Sequence, residues 1–309
     1  MNVLGIDVGG TSIKGAIVNS NGELITEKFV LPIDKNDDQD VCIDKLIKLI
    51  KTFLKDNKME IDGIGMGIPG VIDSKNGIVS YSNNLKWVEL PIVEKMTKAF
   101  NKPVKITNDA NAAALGENRF GSGRQYKDMI MITLGTGVGG GIICDGHLVE
   151  GHNGKGAELG HSLLILDGLP CGCGRRGCFE QYASATALIR QTKEALAIHP
   201  ESMLANLTPI DGRSAFIAAK AGDETANAVV DQYVKYLSEG LLNYCNVFRP
   251  ECIVLSGGIS KEGDYLNDKI KKYLKDREYG YPRSPEVEIK EAELGYHSGI
   301  IGAASLLLK

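Results

Sequence analysis

Three apolar runs in this 309-residue chain each end in glycines set among small polar residues, and no other feature constrains the fold as strongly. The turns are Asp7-Val8-Gly9-Gly10-Thr11, Gly135-Thr136-Gly137 and Ser256-Gly257-Gly258. Glycine allows backbone to approach a bound anion closely, and unpaired N–H groups in such a turn form an anion-binding concavity. A single turn of this kind reads as structural glycine. Three of them, each closing a buried strand, point instead to phosphate binding. Lys14 follows the first turn and adds a point charge, while Asp7 suits a magnesium ion or its waters. Neither common nucleotide fingerprint is present: there is no G-x-x-x-x-G-K-[ST], and the Gly135/Gly137 pair does not open a helix as a dinucleotide fold requires.

The turns also recur in a larger pattern. Val3 to Val8, a glycine turn, Ile13 to Val18, Asn21-Gly22 and Leu24 to Leu31 read as strand, turn, strand, hairpin turn, strand. Ile130 to Leu134, Gly135-Thr136-Gly137, Gly140 to Cys144, Asp145-Gly146 and the run from Leu148 repeat that order. Two copies of one supersecondary unit predict a duplicated two-domain α/β fold, although glycine-turned hairpins also recur by chance. Elsewhere, Ile61 to Ile68 reads as a strand stopping at Pro69-Gly70, and Asp37 to Leu54 has helical spacing with Val41, Leu46, Leu49, Ile50 and Phe53 on one stripe. Helices are also expected over Pro91–Phe100, Ala110–Glu117, Ala183–His199, Ser214–Ala221, Ala226–Phe248, Leu266–Leu274 and His297–Leu308, with strands at Val104–Thr107 and Ile253–Leu255.

Composition removes several function classes. A net charge of -4 with 24% charged residues gives no basic stripe for a nucleic acid. No apolar run reaches the roughly 20 residues that span a bilayer, and the first residues enter a buried strand pattern without a secretory leader. The seven cysteines are an odd number with three tightly clustered, a poor disulfide framework. A cytoplasmic protein acting on small molecules is expected.

Two further constellations carry chemistry. Thr107-Asn108-Asp109-Ala110-Asn111 lies where a strand hands over to a helix, a favoured site of function in α/β sheets. Asn108 and Asn111 are suited to orienting a polyol, and Asp109 to accepting a hydroxyl proton during phosphoryl transfer. The same Asp109 would equally serve as a plain helix N-cap. Separately, His161, Cys171, Cys173 and Cys178 supply a complete tetrahedral zinc set, with glycines that let a short loop curl around the ion. Four protein ligands leave no open position, so such a zinc is structural. Cys42, Cys144, Cys245 and Cys252 read as small core residues.

Taken together and in order, Asp7-Val-Gly-Gly-Thr-Ser-Ile-Lys14, Asn108-Asp-Ala-Asn111, Leu134-Gly-Thr-Gly-Val-Gly-Gly-Gly141, Glu158-Leu-Gly-His161 and Cys171-x-Cys-Gly-x-x-Gly-Cys-x-Glu180 resemble the ROK family (repressors, uncharacterised reading frames and kinases), in particular its bacterial glucokinases. The resemblance runs through essentially the whole chain. It implies an actin-like ATPase (ribonuclease H-like) α/β fold of two domains with an interdomain cleft: residues 1–116 plus 296–309, and residues 117–295 with the zinc loop. It implies Asp109 as catalytic base, and sugar contacts from Asn84, Asn108, Glu158, His161 and Glu180, with Asn83 adjacent to Asn84 as an alternative. His161 would also bind zinc through its other nitrogen. Gly9, Gly10, Thr11 and Lys14, then Thr136 and Gly137, then Gly257 and Gly258 would surround the nucleotide phosphates. The implied cofactors are ATP, Mg2+ and structural Zn2+, with ATP or polyphosphate as donor, in a homodimer or homotetramer. The family's repressors carry an N-terminal helix-turn-helix, which is not expected here because the chain opens on the phosphate strand. The expected reaction is phosphorylation of the glucose 6-hydroxyl. The alternatives are another hexose or acetamido sugar (N-acetylmannosamine, allose, mannose or fructose), or a sugar sensor without catalysis.

Overall fold

The computed structural model describes residues 1–34 and 36–308. In chain order the first elements are β1 (Val3–Val8), β2 (Ser12–Val18), β3 (Phe29–Pro32), α1 (Gln39–Asn57), β4 (Gly63–Ile68), β5 (Val71–Asp73), β6 (Ile78–Ser82), β7 (Trp87–Leu90), α2 (Ile92–Phe100), β8 (Val104–Asn108) and α3 (Asp109–Phe120). They are followed by β9 (Met129–Leu134), β10 (Val138–Cys144), β11 (His147–Leu148), α4 (Glu180–Ala183), α5 (Ala185–Ile198), α6 (Ser214–Lys220), α7 (Glu224–Phe248), β12 (Cys252–Ser256), α8 (Asp264–Leu274), β13 (Glu288–Glu291) and α9 (Ser298–Ser305).

The chain divides into two compact units, Met1–Gln125 with Gly141–Ala157 and Glu293–Lys309, and Tyr126–Gly140 with Glu158–Ala292. Two five-stranded sheets share one plan. The first runs β3-β2-β1-β4-β8 and the second β11-β10-β9-β12-β13, in each case a hairpin set followed by two parallel strands. A small antiparallel sheet, β5-β6-β7, has no counterpart in that plan. No helix among the described residues is long and apolar enough to cross a membrane.

Local chemistry explains most boundaries. α1 starts at Asp38, whose side chain accepts from the Asp40 N–H, and stops at Lys58 in the left-handed region at φ 52°. Its buried stripe is Cys42, Ile43, Leu46, Ile50 and Phe53, so Val41 is rotated outward and is 45% exposed. α7 begins on the Asp223 cap and ends at Arg249, φ 45°, immediately before Pro250. The predicted strand at Leu24–Leu31 is interrupted: Leu24 makes an isolated bridge to Val18, and regular pairing resumes only at Phe29.

In the first unit, close backbone approach sets the position of the strand ends. Gly5 and Gly65 are register partners across β1 and β4, and α9 lies over both strands. A Cβ at Gly5 would overlap the Ile300 carbonyl, and one at Gly65 the Ala303 carbonyl. On its other side α9 meets α3, where a Cβ at Gly302 would overlap the Ala112 carbonyl. The small residues of the last helix therefore let it sit directly on the β1 and β4 backbones. Gly65→Ala should lower unfolding free energy by about 3 kcal/mol or more, because the obstruction is backbone and has no rotamer to yield. Urea denaturation of the variant measures this directly.

Glu117, 0% exposed on α3, supplies a second constraint. Its carboxylate accepts from the N–H groups of Ser122, Glu293 and Leu294 at 3.1, 3.1 and 2.8 Å. Glu117→Ala would strand three backbone donors and should cost about 4 kcal/mol. Thermal melting of that variant, expected well below the parent, checks the estimate.

Candidate functional site

Each unit carries part of the predicted constellation, and each part grows out of parallel strand ends. In the first unit β1, β4 and β8 are parallel, with Asp7 opposite Gly67, Gly67 opposite Thr107, and Ile68 opposite Asn108. Their carboxyl ends therefore bring Asp7, the Pro69-Gly70 turn and Asn108-Asp109 to one edge. Between β1 and β2 the Gly9 N–H donates to the Ser12 carbonyl at 2.9 Å, closing the first glycine turn. Lys14 stands opposite Asp7 in the β1–β2 register.

Asn108 is the N-cap of α3. Its Oδ1 accepts from the Ala110 and Asn111 N–H groups at 2.9 and 3.3 Å, and its Nδ2 donates to the Gly70 carbonyl at 3.2 Å. The capping function thus falls to Asn108, and Asp109 opens the first helical turn with Oδ1 accepting from the Ala110 N–H at 2.9 Å. Burial raises the Asp109 carboxyl above the ordinary value of 3.8, against hydrogen bonds from the Ala110 and Asp109 N–H groups and the Asn108 side chain. Asp7 is raised too, first by burial and then by the charge of Asp109, with Lys14 opposing. Asn111, expected beside Asn108, is 4% exposed.

The tight turn between β6 and β7 supplies the asparagine pair. Asn83 Oδ1 accepts from the Tyr81 hydroxyl at 3.1 Å. Asn84 instead lies over the first glycine turn, its Cβ 3.8 Å from where a Cβ on Gly10 would stand. Only Asn84 adjoins the turn expected to hold phosphate.

In the second unit β9 and β12 are parallel neighbours in register as far as Thr133 opposite Ser256. The Gly135-Thr136-Gly137 and Ser256-Gly257-Gly258 turns consequently leave the same sheet edge side by side. Gly257 has φ 91° and a Cβ there would overlap the Leu134 carbonyl, so the close approach demands glycine. Thr133 Oγ1 accepts from the Gly139 N–H at 3.1 Å, and the Gly135 N–H donates to the Gly137 carbonyl at 3.0 Å. Glu180 opens α4 and places its Oε2 3.0 Å from the Val138 N–H, against Gly137. Glu158 leads a single 3-10 turn in which the His161 N–H donates to the Glu158 carbonyl at 3.0 Å.

His161, Cys171, Cys173 and Cys178 converge, with one ligand atom from each lying within 4.8 Å of all the others. His161 Nδ1 is 3.6 Å from Cys171 Sγ, and Cys173 Sγ is 3.6 Å from Cys178 Sγ. Tetrahedral Zn–S bonds of about 2.3 Å set ligand sulfurs a little under 4 Å apart, so this donor set fits such an ion. Nδ1 is the nitrogen beside the Cys171 sulfur. The Arg175 N–H draws the Cys173 thiol below its ordinary value, toward the thiolate that a metal requires.

Two neighbours of these sites carry no sequence signal. Glu150 Oε1 accepts from the Thr107 hydroxyl at 2.6 Å, and its Oε2 accepts from Ser74 Oγ at 2.7 Å, tying down the strand that presents Asn108-Asp109. Gly299 on α9 is the second, since a Cβ there would stand 2.8 Å from Asp7 Cγ.

Known proteins resemble this chain over its length. The profile of the ROK family matches residues 3–309. A glucokinase of Halalkalibacterium halodurans is 38% identical over 313 residues, covering 98% of this chain and 94% of its own. The crystal structure of a ROK family glucokinase from Streptomyces griseus, in complex with glucose and AMPPNP, superposes with a TM-score of 0.80 at 34% identity and 99% coverage of both chains. A xylose repressor of Bacillus subtilis is 30% identical over 311 residues, 99% of this chain but 76% of its own. The chain belongs to the ROK family and has its actin-like ATPase fold.

Proposed function

We propose that the chain is an ATP-dependent glucokinase that transfers the γ-phosphoryl group to the glucose 6-hydroxyl, with Asp109 as general base. The observation that carries this reading is the pairing at α3: Asn108 caps the helix, and the adjacent buried carboxylate has its pKa raised. A base serves best when its pKa approaches the operating pH, and burial moves Asp109 in that direction. As the O6–phosphorus bond forms and the bond to the departing ADP oxygen breaks, Asp109 takes the hydroxyl proton. Little else is asked of the protein beyond alignment and charge stabilisation.

Gly9, Gly10 and Thr11 with Lys14, and the paired turns at Thr136-Gly137 and Gly257-Gly258, would offer N–H groups and charge to the phosphates. Asp7, held near a second carboxylate, suits the magnesium that accompanies ATP. Asn84, Asn108, Glu158, Glu180 and His161 would read the sugar hydroxyls. The Cys171, Cys173, Cys178 and His161 set suits zinc, which when bound would fix the imidazole through Nδ1 and orient Nε2 for a hydroxyl. We further propose a cytoplasmic homodimer or homotetramer, tested by light scattering on the purified chain.

The test is ADP formation from ATP against hexoses and acetamido sugars, with polyphosphate as an alternative donor. Strong preference for glucose and ATP supports the assignment. Preference for another sugar keeps Asp109 and replaces the substrate. The similarity to a xylose repressor favours a second reading, a sugar sensor without turnover. Sugar binding without ADP release would select it.

A further inference from the structure

A hollow of about 330 Å³ opens beside β8 in the first unit, outside every group used above except the Glu150 wall and its partner Ser74. Its apolar lining includes Ile106, Leu115 and Leu306. Around these stand Lys75, Lys105 and Arg119, and among the described residues none of the three forms an ion pair. Glu150 is the one carboxylate in the lining, and both of its oxygens are engaged by Thr107 and Ser74. Arg119 is held in place, its guanidinium donating to the Ser305 carbonyl at 2.6 Å and to the Leu308 carbonyl. The chain as a whole has a net charge of -4, so this local surplus of cations is not a general property of its surface.

An apolar lining with a few convergent charges and a volume of this size is the usual form of a small-molecule site. Three cations outside every close ion pair, of which only Lys75 has a further carboxylate, Asp73, within reach of its charge, call for an anion, and an apolar lining calls for a carbon skeleton. We propose that the hollow binds a small organic phosphate, its phosphoryl group between Lys75 and Lys105 and its carbon body against Ile106 and Leu115. Lysine binds phosphate as a point charge, and charge-assisted hydrogen bonds are among the stronger polar contacts. The occupant would lie against Glu150, one hydrogen bond from Thr107 and the strand that carries Asn108-Asp109.

The experiment is calorimetric titration of 3-phosphoglycerate, and separately of inorganic phosphate, into the full chain and into the double variant Lys75→Gln/Lys105→Gln. Neither lysine belongs to the proposed catalytic machinery, so the variant should keep its melting temperature and its sugar-phosphorylating activity. 3-Phosphoglycerate should bind the parent and bind the variant at least about tenfold more weakly, a change of about 1.4 kcal/mol. Inorganic phosphate should bind the parent more weakly than 3-phosphoglycerate. Equal affinity of parent and variant would place the anion elsewhere, for example at the glycine turns, and overturn the site. Absence of binding to the parent at millimolar concentrations would overturn it as well, and equal affinity for the two probes would overturn the organic class of ligand. Because the readout is binding, the outcome does not depend on which sugar is phosphorylated, or on whether any is.

Discussion

Asp109→Asn should lower kcat for glucose by about 10³-fold while the glucose KM changes little, the signature of a lost general base. The substitution keeps shape and still offers an oxygen to the Ala110 N–H, now 2.9 Å from Asp109 Oδ1. What it removes is the ability to take a proton. In the parent, kcat/KM should fall as pH drops through the raised Asp109 value, at a higher pH than an ordinary aspartate near 3.8 would give. Single-turnover phosphorylation across pH measures both effects. A variant within a few-fold of the parent would take Asp109 out of the mechanism.

The same substitution should leave the protein more stable at neutral pH. The folded-state pKa of Asp109 lies above its unfolded value, so the folded chain holds that proton more tightly. Any stability the group contributes is therefore present at low pH and is lost as pH rises through the folded value. As pH rises through the folded value the carboxylate ionises at a cost, and the cost extends to Asp7, which is raised partly by the Asp109 charge. Asparagine removes both contributions. Melting temperatures of parent and variant should coincide in acid and separate, in favour of the variant, above a pH of about 4. A variant that melts lower throughout would show that the carboxylate supports the fold.

Some of this was legible in sequence, for reasons that differ from residue to residue. The β1–turn–β2 and β9–turn–β10 units announce themselves because glycine has no substitute where backbone must turn tightly, as at Gly257, φ 91°. The Cys/His set is visible because three cysteines and a histidine close together have few other uses, and their donor atoms do converge. The β5-β6-β7 sheet is not visible. Val71–Asp73 and Trp87–Leu90 are three- and four-residue strands, too short to show alternation. The α1 stripe holds at Leu46, Ile50 and Phe53, but its first turn buries Cys42 and Ile43 in place of Val41, and Leu49 is only partly buried. The interplay of Asn108 and Asp109 could not be read either, because both are good caps and only the folded structure shows which one turns its oxygen to the helix N–H groups. Glu150 is a lone acid in a glycine-rich loop, and its link to Thr107 spans 43 positions.

Removing metal from the Cys/His set should have the second largest effect, and on binding rather than chemistry. The segment from His161 to Cys178 has little regular structure of its own. Isolated bridges join Leu163 to Cys178 and Pro170 to Arg176, and a few turn hydrogen bonds complete it, such as Leu164 N–H to the Gly177 carbonyl at 2.8 Å. Such a segment has few buried apolar contacts to offset its ordering entropy, so a bound ion would be its main constraint. His161 adjoins the cysteines through Nδ1, and without an ion its ring loses the partner that fixes its orientation. Chelation under reducing conditions, or Cys178→Ser, should release about one zinc per chain and lower the melting temperature. It should also raise the glucose KM by about 10- to 100-fold, with a smaller effect on kcat. The reducing agent matters, because Cys173 and Cys178 have their sulfurs 3.6 Å apart and oxidation would mask the loss of metal. Kinetics alone would not separate a loosened sugar site from general unfolding. Hydrogen exchange does: protection should vanish across residues 161–180 while α7 and β12 keep theirs. Full activity in protein shown to be metal-free would assign these cysteines to the fold without an ion, and would leave His161 to be oriented by its protein neighbours alone.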